Sequence, residues 1–257
     1  MITGSAYCVR NLDQTIHFYT KVLGMSVLET GPSTQRPAVK LGYSSANCGL
    51  YCVEYPQASQ PQLTSPGYWK IGITVQDLDA TVATIRTQYP AITDPVQFRD
   101  IGYLCHTQDP DGNTIELLQH TFYGNPLSQK KERTIAHISI RSADINRAIP
   151  VYTALGLRLL SKQATPSFDL YFLAETSDAL PDPAIESVHN REWLWQRPYP
   201  CLEIQHIHSN PGPYQLPAPH HYGWHGLVLN PGNYPKTDFD GYPLLSADDF
   251  SLGLTAQ

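Results

Sequence analysis

The sequence predicts an α+β fold assembled from a recurring unit of one strand, one helix and two or three further strands. Internal self-similarity is the first sign. Asn11, Leu12, Ile16 and Tyr19 return as Asp144, Ile145, Ile149 and Tyr152, an offset of 133 residues. A half-period copy places Asp77 at an offset of 66 from Asn11, in a strand-then-helix pattern over residues 70–85. Composition is the second sign, because 22 prolines and 16 tyrosines imply many turns and much sheet.

Each element follows in order. Residues 11–24 read as a short amphipathic helix, with Leu12, Ile16, Tyr19 and Leu23 at helical spacing and Gly24 as its cap. Strand-like runs follow at 25–28 and 49–53. The second unit has a strand from Lys70, a helix opening at Asp77 and a strand at 101–105. Asp109-Pro-Asp-Gly112 is a tight turn, and alternation after it turns Thr114, Glu116 and Leu118 to one face. The polar stretch 124–133 reads as a linker, dividing the chain into domains at 1–123 and 134–257. A third unit holds a strand through His137, a helix from Asp144 that Pro150 should kink, and a strand at 170–173. Residues 178–196 read as a surface insertion, with Trp193 and Trp195 packing part of it. The fourth unit opens at His225 and is shortened, residues 230–257 showing no clear helix.

At 257 residues the chain can bury a substantial core as one large or two smaller domains. A net charge of −6 and 16% charged residues argue against a nucleic-acid surface. No apolar run reaches membrane-spanning length, and the first residues lack a signal-peptide pattern. Five cysteines without paired spacing fit neither a disulfide framework nor a zinc ribbon. These features predict a reduced, cytoplasmic globular protein, with monomer and homodimer both open.

Three residues stand out for chemistry. Glu203 sits in the apolar run Cys201-Leu-Glu-Ile204, His225 follows the Gly223-Trp break, and His137 opens Ala136-His-Ile-Ser-Ile-Arg141. One carboxylate and two imidazoles on neighbouring strands would form a shell for a divalent transition metal. Ordinary surface or hydrogen-bonded histidines are the competing reading. Glu116 is a further ligand candidate, because a glutamate among apolar neighbours needs a partner. His106, His120, His189, His206, His208 and His220 read as surface or supporting residues, His206 being placed to orient a ligand.

The helix ending Phe18-Tyr-Thr-Lys-Val-Leu-Gly24 and the turn-strand Asp109-Pro-Asp-Gly-Asn-Thr-Ile-Glu116 resemble signatures of the vicinal oxygen chelate superfamily. That superfamily includes glyoxalase I, bleomycin- and fosfomycin-resistance proteins and extradiol dioxygenases. The resemblance covers residues 1 to about 230. It implies tandem βαβββ modules forming two domains with curved mixed sheets, the second of them glyoxalase I-like. It also implies metal ligands at His137, Glu203, His225 and Glu116, with Glu203 or Glu116 as catalytic base. The first-strand ligand place, seven residues before the helix-opening residue, is His137 in the third module, Gly4 in the first and Lys70 in the second. Tyr51 falls at the first module's glutamate place. Arg141 matches an arginine that holds a glutathione carboxylate, while His221 and Ile207 stand where an Arg and an Asn are expected. Arg141, Lys70 and His221 are thus the substrate-side residues. Modules could pair within each domain or be exchanged, and exchange would bring Glu116 and Lys70 to face His137 and Glu203.

The activity implied is a metal-dependent lyase or isomerase acting on an α-oxo small molecule. The cation, Zn, Ni, Co or Fe(II), would chelate two adjacent oxygens and stabilise an enediolate. A non-catalytic small-molecule-binding or resistance protein and an Fe(II) extradiol dioxygenase are the other readings.

Overall fold

Side-chain caps explain where the helices begin. In the computed structural model, which describes residues 2–31, 36–44, 48–64, 66–209, 212–218, 221–229 and 244–246, β1 (Ile2–Val9) leads into α1 (Leu12–His17). The Asn11 side chain accepts from the Gln14 N–H at 2.9 Å and so satisfies a donor of the first turn. A π turn at Phe18–Val22 continues α1, and Gly24 ends the segment at φ 75°, a left-handed conformation that costs glycine little. Asp77 and Asp144 cap α2 (Leu78–Arg86) and α3 (Ile145–Ala154) in the same way, and α3 runs through Pro150. The insertion holds α4 (His189–Trp195), in which Leu194 and Trp195 are buried.

The remaining strands are β2 (Ser26–Thr30), β3 (Ala38–Gly42), β4 (Gly49–Glu54), β5 (Tyr68–Val75), β6 (Val96–Phe98), β7 (Gly102–Gln108) and β8 (Thr114–Gln119). The second half adds β9 (Thr134–Arg141), β10 (Arg158–Ala164), β11 (Phe168–Ala174), β12 (Cys201–Ile207), β13 (Gly223–Leu229) and β14 (Leu244–Ser246). They form a six-stranded mixed sheet, β14-β13-β1-β4-β3-β2, and an eight-stranded mixed sheet, β10-β11-β12-β9-β5-β8-β7-β6.

The chain divides into two compact units, and the division is not the sequential one expected at 124–133. One unit draws on residues 1–66, 109–113 and 215–257, the other on 67–108 and 114–214. The expected linker lies between β8 and β9, two strands of one sheet, and β9 pairs antiparallel with β5. Each module has an open first strand whose backbone groups need a partner. β1 finds its partner in β13 and β5 in β9, so the modules are exchanged between halves of the sequence.

In the second unit, alternation sorts the central strands into two faces. Ile71, Ile73 and Val75 of β5, Ile138 and Ile140 of β9, Ile115 and Leu117 of β8, and Leu202 and Ile204 of β12 are buried on one face. Lys70, Gly72, Glu116, Leu118, His137, Ser139, Cys201 and Glu203 take the other.

A charged floor beneath an aromatic cavity

Register brings the site together. β5 and β9 place Gly72 opposite His137 and Lys70 opposite Ser139. β8 runs parallel to β5 and sets Glu116 beside Gly72, while β12 runs parallel to β9 and sets Glu203 beside Ser139. Four strands from two modules thus deliver Lys70, Glu116, His137 and Glu203 to one patch of sheet, all of them buried. Gly72 makes room for the imidazole, since a Cβ built there would lie 2.1 Å from His137 Nε2.

Two carboxylates and one lysine dominate the electrostatics. Lys70 Nζ donates to Glu116 Oε2 and lies 3.8 Å from Glu203 Oε2. His137 Nε2 is 3.3 Å from Glu116 Oε1 and 3.6 Å from Glu203 Oε2, and neither ring nitrogen of His137 makes a hydrogen bond. The Ser139 hydroxyl donates to Glu203 Oε2. His106 Nε2 approaches Glu116 Oε2 at 3.3 Å. Burial alone would raise the Glu116 pKa, but the Lys70 charge and the contacts with His106 and His137 outweigh it and hold the group well below the carboxylate range.

Above this floor is a cavity of about 290 Å³. Trp69, Phe98, Phe168, Phe172 and Trp195 supply its aromatic walls, with Leu104, Leu118 and Leu170 filling between them. Phe172 and Trp195 stack at an angle on each other and on His137, at ring-centre distances of 5.2, 6.0 and 5.9 Å. A mostly apolar cavity with a few convergent polar groups is the usual form of a small-molecule site.

The other expected residues fall elsewhere. His225 belongs to the first unit, not to the unit that holds His137, Glu116 and Glu203. The β1–β13 register shifts between Ala6 and Tyr7, opposite Gly226 and Trp224, which leaves His225 at a bulge. Its Nε2 lies 3.0 Å from the His221 carbonyl, and burial lowers its pKa. Of the expected ligands, His137, Glu203 and Glu116 therefore meet within the second unit, while His225 and likewise His221 belong to the first. Arg141 is in the second unit, half-buried, its Nε donating to Gln205 Oε1 at 2.9 Å and its guanidinium 5.7 Å from the Trp69 ring centre. Sequence reasoning placed His106 among surface or supporting residues and did not single out Gly72, Ser139 or the aromatic walls. The His106–Glu116 pairing of β7 with β8 was the available signal for His106.

A profile of the Glyoxalase/Bleomycin resistance protein/Dioxygenase superfamily matches residues 3–117. A probable lactoylglutathione lyase of Vibrio cholerae is 32% identical over 118 residues, covering 44% of this chain and 85% of that protein. The chain belongs to this superfamily. Lactoylglutathione lyase GLX1 of Arabidopsis thaliana is 31% identical over 173 residues, and the match spans 63% of this chain but only 56% of the plant protein. The chain thus spans little more than half the length of that superfamily member. In architecture, the crystal structure of glyoxalase I from Zea mays aligns with 99% of this chain and 96% of its own, at a TM-score of 0.69 and 18% identity. A putative dioxygenase from Bacillus subtilis aligns at a TM-score of 0.60 with 12% identity over 89% of this chain and 69% of its own. These likenesses establish the superfamily fold with its curved mixed sheets.

A divalent cation is what the family resemblance implies here, and the donors can be tested against it. His137 and the two carboxylates are suitable donor types, and the unbonded imidazole nitrogens are what a metal site would require. The fourth member is the obstacle. An ammonium has three donors and no lone pair to offer, and this one is bound to Glu116. Among the described residues no group of three His, Cys, Asp or Glu side chains is placed to hold a metal ion. The floor as it stands does not fit a divalent cation.

Proposed function

We propose that the second unit performs glyoxalase-like lyase or isomerase chemistry on a small α-oxo molecule, moving a proton between adjacent carbons through an enediolate. The observation that carries this reading is the pair of buried carboxylates, Glu116 and Glu203, on the floor of an otherwise apolar cavity. Proton abstraction next to a carbonyl needs a base held against the substrate and shielded from water. The aromatic walls exclude water and grip the apolar part of the substrate.

Of the two carboxylates, Glu203 is the better base. Glu116 is held by Lys70, His106 and His137, and a carboxylate whose pKa is so depressed accepts a proton poorly. Glu203 carries the Ser139 hydroxyl bond and lies 3.8 Å from Lys70. Glu116 and His137 then fix the floor around it. Arg141 sits beside the Trp69 wall, where it would meet an anionic group on a thiol adduct such as glutathione. All five cysteines are unpaired and buried, which suits the cytoplasmic location expected from the sequence.

The test is an assay with hemithioacetals of methylglyoxal and small thiols, glutathione among them, on the wild-type protein and Glu203→Gln. Isomerisation to the thioester is expected from wild type, with a fall of roughly 1,000-fold in the variant, the range for a lost general base. Tight binding of α-oxo aromatics with no product would replace this reading with that of a binding protein.

A further inference from the structure

The enediolate of the proposed reaction needs a positive charge beside it, and the floor of the cavity already contains one. We infer that Lys70 is the resident cation of this site, standing in place of a metal ion, and that it is the residue that keeps divalent metal out. The inference rests on the reading of this floor as the reactive site, and it concerns how that site is charged.

Position supports it first. Lys70 lies seven residues before the cap Asp77, as His137 lies seven before Asp144, so the two occupy matching places in their modules. The exchanged pairing puts these first strands side by side, and the two glutamates flank them from β8 and β12. The four side chains are a symmetric set in which one member is a cation.

Charge supports it next. Glu116 and Glu203 bring two negative charges into a buried space, and such charges persist only when paired. Lys70 pairs with both. Its ring contact, with the ammonium 4.1 Å from the Trp69 ring centre, fixes it from a third side. A dication held by His137, Glu116 and Glu203 would lie within about 4 Å of this ammonium, where like charges repel strongly even at an effective dielectric constant near 20. Lys70 also lines the cavity. There it can donate to a carbonyl oxygen as negative charge develops.

The experiment is metal content by mass spectrometry and titration calorimetry with Zn²⁺, Ni²⁺ and Co²⁺, on wild type, Lys70→Gln, Lys70→Met and Lys70→Arg. Circular dichroism confirms that each is folded, and Lys70→Met keeps the aliphatic stem should the Gln variant fail to fold. Wild type and Lys70→Arg are expected to bind no stoichiometric metal. Lys70→Gln or Lys70→Met, which releases Glu116 to turn toward His137, is expected to take up about one ion per chain through His137 and the two carboxylates, tighter by at least about 100-fold on Coulombic grounds. The melting temperature of the variant should rise when metal is added, and Glu116→Gln in the same background should abolish the effect. One tightly bound ion in wild type overturns the inference. So does a folded Lys70 variant that binds no metal. Absence of turnover in every form, with this metal pattern intact, would sink the proposed reaction while leaving Lys70 in its role.

Discussion

Each unit places a ring against a glycine of the first strand at which its modules join, yet the chemistry around the ring differs. In the second unit a Cβ on Gly72 would lie 2.1 Å from His137 Nε2, and two carboxylates and an ammonium surround that imidazole. In the first unit a Cβ on Gly4 would lie 2.5 Å from the Tyr51 ring, and Tyr51 stands at the place expected for a glutamate. Lys40 is the nearby cation there, 5.1 Å from the Tyr51 ring centre and 3.2 Å from the carboxylate of Glu29. A glycine against a ring therefore serves packing in both units, although Gly4 matches the place of Lys70 and His137 rather than that of Gly72. What separates the units is whether charge is buried on the cradle floor. A reactive site arises where the floor carries carboxylates that neighbouring groups must balance, and a packed core arises where it carries a phenol.

The comparison breaks most sharply at the lysines. Both side chains of the Lys70–Glu116 pair are only 4% exposed, whereas Glu29 in the Lys40 pair is 66% exposed. Removing one partner of a buried pair strands the other charge. Glu116→Gln is therefore expected to destabilise the protein by about 3 kcal/mol, while Glu29→Gln should cost less than about 1 kcal/mol. Urea unfolding of both variants measures this. Equal costs would mean that the second floor is no more dependent on its charges than the half-exposed Lys40–Glu29 pair.

A smaller effect separates the two cradles. Gly72→Ala and Gly4→Ala should each cost about 2 kcal/mol by overpacking, because each new methyl meets a ring and Gly4 also meets the Gly49 carbonyl at 2.2 Å. Only Gly72→Ala should also lower kcat, by displacing His137 from the carboxylates. A loss of turnover in Gly4→Ala of the same size would show that the first unit takes part in the reaction.

Much of this was legible in the sequence, for physical reasons that can be named. The repeat, the Asn11, Asp77 and Asp144 caps and the Gly24 stop are local, and local hydrogen bonding fixed them as expected. His137, Glu203 and Glu116 could be read because strand alternation sets which face each side chain takes. Module pairing could not, since β1 and β5 each need an antiparallel partner and the sequence offers several. The linker expected at 124–133 follows from composition, whereas the unit boundary follows from strand pairing. The unit of His225 was illegible for the same reason: with β13 beside β1, it joins the first unit and rests on the His221 carbonyl. Ser139 and Gly72 carry no motif of their own and gain a role only through the β5–β9 register.

The smallest effect tests whether the first unit also stores charge, at the turn that supplies its residues 109–113. Asp109 is buried there. Its Oδ2 accepts from the Tyr19 hydroxyl at 3.0 Å and from Asn113 Nδ2 at 2.9 Å, and its Oδ1 accepts from the backbone N–H of Asp111 and Asn113. Burial nevertheless prevails over the bonds from Asn113 and Tyr19, Asp111 adds its like charge, and the pKa rises from 3.8 to about 6. A folded pKa above the unfolded one means that folding favours the protonated acid. That contribution is complete below pH 3.8 and is lost as pH rises through 6. Between pH 5 and 7 the loss is roughly 1 kcal/mol. Asp109→Asn removes the titration, so wild type should lose stability relative to the variant by that amount over this interval, as followed by urea unfolding at several pH values. No slope over this interval would show that the four donors hold the carboxylate ionised. In that case the turn would bury a stable charge of its own, and the contrast between a charged second unit and an uncharged first one would narrow to the cradle floors alone.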